Sequence, residues 1–94
     1  MCTMIAERVE LTGSAKEKGR WFPIDHAYVS FDHPFDLQVE HALNIDFVNE
    51  GIGPGARVAV ELTEQAARDL VDAILLALDR AERTGATRAP SHPG

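Results

Sequence analysis

Every second residue from Phe35 to Phe47 is apolar, with one exception. Phe35, Leu37, Val39, His41, Leu43, Ile45 and Phe47 share one parity, and only His41 among them is polar. A two-residue period sends side chains to alternate faces of an extended chain, so a segment patterned this way is a half-buried strand and not a helix. Ile5–Leu11 follows the same rule, with Ile5, Val9 and Leu11 in the apolar row and Glu7 as the misfit. Trp21–Asp32 is rich in β-branched and aromatic residues, with Ala27, Val29 and Phe31 on one face and His26, Tyr28, Ser30 and Asp32 on the other. Arg57–Leu62 is a short fourth strand with Val58, Val60 and Leu62 inward.

The connections are marked by residues that break ladders. Gly13–Gly19 is polar and glycine-bounded, Asp32-His33-Pro34 is a turn, and Asn49–Gly55 carries three glycines and a proline. After Leu62 the period changes. Thr63 is a suitable N-cap and Glu64 a favourable first-turn residue. Ala67, Leu70, Val71, Ile74, Ala77, Leu78 and Ala81 then recur at helical spacing to about Arg83. Gly85 stops the helix. Consecutive strands joined by turns pair with each other. The expected fold is therefore α+β: a four-stranded antiparallel meander sheet followed by one C-terminal helix packed on one face. Residues 1–83 would form this domain and 84–94 a flexible tail.

Composition narrows the function. The 94-residue chain has 9 Lys and Arg against 15 Asp and Glu, a net charge of −6. Nucleic-acid binding needs clustered positive charge, and so does an anionic membrane surface, so neither partner is expected. No apolar run reaches the length that spans a bilayer. The segment MCTMIAERVEL has neither a basic stretch nor a long apolar run, so no export signal is expected and the location is read as cytoplasmic. One sheet face remains after the helix has covered the other. A core this small, with Trp21, Tyr28, Val39, Ala42 and Val48 still to place, suggests a homodimer.

The meander brings unusual residues to one end. Cys2, Asp32, His33, Glu40, His41 and Thr63 all fall there if the strands alternate in direction. Thiolate and imidazole together suit a first-row transition metal such as zinc, iron or copper, with Cys2, His33 and His41 as ligands. A Cys–His pair would instead give an activated thiol. Glu7 opposite His41 would be an acid–base pair, because a carboxylate in apolar surroundings holds its proton and an imidazole can relay it. Each residue also has a plainer role: His41 as a core or interface histidine, Glu7 as an exposed or Arg57-paired carboxylate, His33 as a turn residue, and Cys2 as part of a frayed terminus. His26 is expected to face solvent. The glycine-bounded segments lack the features of a phosphate loop.

Three stretches carry a resemblance: MCT-x-IAE at Cys2–Glu7, DHP at Asp32–Pro34, and EHALNIDF leading to ARVAVELT at Glu40–Phe47 and Ala56–Thr63. GSAK and GRWF, at Gly13–Lys16 and Gly19–Phe22, add to it. Over residues 1–83 the chain resembles a family of small uncharacterised actinobacterial proteins encoded among specialised-metabolite biosynthesis genes. The resemblance implies that Cys2, His33, Glu40 and His41 occupy motif positions; it implies no activity. Together these readings point to a cytoplasmic protein of specialised metabolism that binds a metal or a small molecule, with metal-assisted or acid–base chemistry on a biosynthetic intermediate as its enzymatic form. The alternative is a non-catalytic homodimeric module that sequesters a product or docks on a biosynthetic enzyme.

Overall fold

The computed structural model describes residues 5–85. Four strands, β1 (Ile5–Glu17), β2 (Arg20–Asp32), β3 (Ala42–Val48) and β4 (Arg57–Leu62), precede one helix, α1 (Glu64–Arg83). The strands form one sheet in the order β1-β2-β3-β4, every neighbouring pair antiparallel. The meander followed by a C-terminal helix is the expected α+β arrangement. Sheet and helix belong to two compact units that divide between Glu64 and Gln65.

Two boundaries differ from the sequence reading. The polar segment Gly13–Gly19 is mostly strand, because β1 and β2 close through a two-residue turn at Lys18-Gly19. Lys18 has φ 52° and Gly19 φ 77°. Positive φ at both central residues is the turn geometry whose twist matches that of paired strands. A one-residue bulge between Glu10 and Gly13 resets the register from Glu10↔His26 to Gly13↔Ile24. The long alternation fails at its other end. Residues 33–41 are not strand, and β3 begins only at Ala42. Pro34 has no N–H to give a ladder. The next three amides, of Phe35, Asp36 and Leu37, donate instead to the Glu61 carboxylate at 2.6, 2.9 and 3.0 Å.

Register sorts the sheet into two unlike faces. Ile5↔Phe31, Glu7↔Val29 and Val9↔Ala27 continue through Phe31↔Leu43, Val29↔Ile45 and Ala27↔Phe47 to Leu62, Val60 and Val58 on β4. Apart from Glu7 this face is wholly apolar. The opposite face carries Arg8, Glu10, His26, Tyr28, Ser30, Asn44, Asp46, Arg57 and Glu61. Among the described residues the only buried hydrophobic side chains are Ala27, Ala42, Val48 and Ala56. The large side chains of the apolar face are half-buried, and Ile5 and Val9 are exposed.

The helix has the expected ends. Gly85, at φ 84°, takes the left-handed position beyond the last turn, and its N–H bonds the Glu82 carbonyl. Asp79 and Arg83, one turn apart near the C-terminal end of α1, pair at 3.1 Å. None of its residues is buried, and Leu70, Val71, Ile74, Leu75, Leu76 and Leu78 are 43–60% exposed. Among the described residues no helix is long and apolar enough to cross a membrane.

Candidate functional site

The loop 33–41 lies between the end of β2 and the start of β3, where the sequence placed its unusual residues. Asp32 starts it by accepting the His33 amide on Oδ1 at 2.7 Å. His33 Nδ1 lies 2.8 Å from the Glu40 carbonyl oxygen. A carbonyl only accepts, so Nδ1 is the donor of this hydrogen bond. A backbone carbonyl on one ring nitrogen is an arrangement that also orients metal-ligating histidines. His41 stacks on His33 with ring centroids 5.0 Å apart and on Phe31 at 5.7 Å. Phe31, His41 and His33 thus form a ring stack at the β2–β3 end.

The other predicted residues fare differently. Glu40 contributes its backbone carbonyl, and its side chain is exposed. Glu7 is exposed on the edge strand β1, opposite Val29. Among the described residues no hydrogen bond or ion pair joins it to His41. Arg57, its other suggested partner, binds Asp46 at 2.6 Å instead. Cys2 lies outside the described residues. Among those described, no group of three or more His, Cys, Asp or Glu side chains is placed to hold a metal.

Glu61 fixes this loop. Its carboxylate on β4 receives three consecutive amides, and these hydrogen bonds, that of Phe35 first, hold it below the usual carboxylate range. Phe35 at the loop tip is fully exposed. Beneath the loop, on the polar sheet face, His33, Phe35, Asp32, Asn44, Arg57 and Glu61 help line a cavity of about 290 Å³. Asn44 Oδ1 is buried without a hydrogen-bond partner among the described residues.

The second polar cluster is one that sequence reasoning missed. His26, expected in solvent, is 3% exposed and is the one buried polar residue among those described. Its Nδ1 lies 2.6 Å from Asp25 Oδ1, and its Nε2 lies 3.4 Å from Glu50 Oε1. Tyr28 donates its hydroxyl to Glu50 Oε2 at 3.2 Å and meets the imidazole edge-on at 5.0 Å. The shared parity of His26 and Tyr28 was readable. Glu50 was not, because its approach depends on how the β3–β4 loop folds back.

A four-stranded meander with a C-terminal helix, an apolar sheet face and a histidine stack at one end defines a small α+β protein. The chain belongs to DUF6295, a family of unknown function, whose match spans residues 1–87. No curated protein and no solved structure matches it.

Proposed function

We propose that the chain is a homodimeric binding module, two copies of which cover each other's apolar surface. The observation that carries this reading is the mismatch between pattern and burial. One sheet face is apolar from Ile5 through Phe31 and Leu43 to Leu62, yet its large side chains stay half-buried or exposed. The helix adds six large aliphatic residues that are about half exposed. Covering the remaining half of one such side chain returns about 1 kcal/mol, so a handful supplies what a small domain lacks. A second copy is the occupant favoured here because it brings an equal area of the same character, as an isologous interface requires. The polar face, with its cavity under the 33–41 loop, is left for a ligand. The resemblance noted above supports an actinobacterial setting in specialised metabolism. Sedimentation equilibrium at micromolar concentration should return twice the 10.3 kDa chain mass. A folded monomer would mean that these rows are covered within one chain, and would contradict the proposal.

The His33–His41 stack favours a second reading, metal binding with Cys2 as the third donor. Its support is the 5.0 Å separation of the His33 and His41 rings, with His33 Nδ1 held at the Glu40 carbonyl. Zinc, iron or copper content, measured for wild type, Cys2→Ser, His33→Ala and His41→Ala, tests it. Stoichiometric metal lost in all three variants is expected on this reading; metal-free wild type contradicts it.

A further inference from the structure

The β1–β2 hairpin is the one place where this acidic chain concentrates positive charge. Lys16, Lys18 and Arg20 stand within five positions against a single Glu17, in a chain of net charge −6. The hairpin also projects: β2 pairs with β3 only from His26 onward, so Arg20–Asp25 have β1 on one side and no strand on the other. The β3–β4 loop folds against that open side. Asn49 Nδ2 donates to the Pro23 carbonyl at 3.0 Å, and Asn49 Oδ1 receives the Gly51 amide at 3.1 Å. Between hairpin and loop lies a cavity of about 510 Å³, within the range of small-molecule sites.

Its lining is unlike the rest of the surface. Trp21, Phe22, Ile52 and Pro54 supply apolar wall, while Lys18 and Arg20 supply cations, and Glu17 is its one carboxylate. Trp21 is 65% exposed and Ile52 57% exposed, an arrangement that costs apolar surface in water unless something covers it. Lys16 Nζ sits 5.9 Å from the centre of the Trp21 ring, which adds positive potential beside the indole.

We infer that this cavity binds a flat aromatic molecule carrying one anionic group, its ring against Trp21 and its anion toward Lys18 and Arg20. Indole offers a stacking face for a conjugated ring. Two cations at the rim select an anion over a neutral or cationic analogue, since opposite charges attract and like charges are excluded. The site is built from residues of one copy and does not depend on dimerisation.

Trp21 is the only tryptophan in the chain, so its indole N–H resonance reports this cavity alone. The test titrates the ¹⁵N-labelled full chain with 2-naphthoate, with neutral 2-naphthalenemethanol, and with the cation 2-naphthylmethylamine. Naphthoate should shift the indole signal saturably, with the alcohol at least about tenfold weaker and the amine weaker still. Lys18→Gln with Arg20→Gln, both exposed positions, should reduce naphthoate affinity about tenfold and leave the alcohol unchanged. Equal affinity for anion and alcohol, unchanged naphthoate binding in the double variant, or no saturable shift at millimolar ligand would each overturn the assignment.

Discussion

Glu61 does more at the level of single residues than its place on a short edge strand suggests. Three consecutive amides converge on its carboxylate, and in exchange the loop 33–41 gives up strand geometry. The sign of its pH dependence follows from the lowered pKa. The contribution of a depressed carboxylate is complete above the ordinary carboxylate range, about pH 4.3, and is lost as pH falls through the lowered folded value. Hydrogen exchange should therefore show the Phe35, Asp36 and Leu37 amides protected at neutral pH and progressively exposed on acidification below that range. Glu61→Ala should expose them at neutral pH as well; protection that survives the substitution would refute the latch. His26 offers a second test. Its ring is buried against Asp25 and Tyr28, so His26→Ala leaves a cavity and removes the contact to the Asp25 carboxylate. Chemical denaturation should show a loss of about 1–3 kcal/mol.

At the scale of elements, alternation and helical spacing were enough to locate β4 and α1, and to give the order of all four strands. They failed where a tertiary hydrogen bond decided the outcome. Phe35, Leu37 and Val39 keep strand parity, but the amides that would have extended β3 are taken by Glu61, which is 24 or more residues away in sequence. Gly13–Gly19 was misread for the opposite reason: glycines and charges suggested a loop, while Lys18-Gly19 alone makes the turn. Of the candidate site, the meeting of His33, Glu40 and His41 followed from meander topology. The burial of His26 did not, since it depends on a folded-back loop. The turn carries its own prediction. Lys18 holds φ 52°, which costs a side-chain-bearing residue free energy that glycine or asparagine avoids. Lys18→Asn should raise the melting temperature, by an amount equivalent to about 0.5–1 kcal/mol. An unchanged or lower value would show that the turn is not strained there.

At the scale of the whole molecule, apolar patterning and burial disagree, and the proposed second copy would resolve the disagreement. Val29, Ile45 and Val60 lie side by side across three strands in the middle of the apolar face. Mixing ¹³C,¹⁵N-labelled and unlabelled chains and recording isotope-filtered nuclear Overhauser spectra isolates contacts between copies. The account predicts intermolecular cross-peaks from the methyl groups of those three residues. A folded protein in which these methyls show only intramolecular cross-peaks would contradict it.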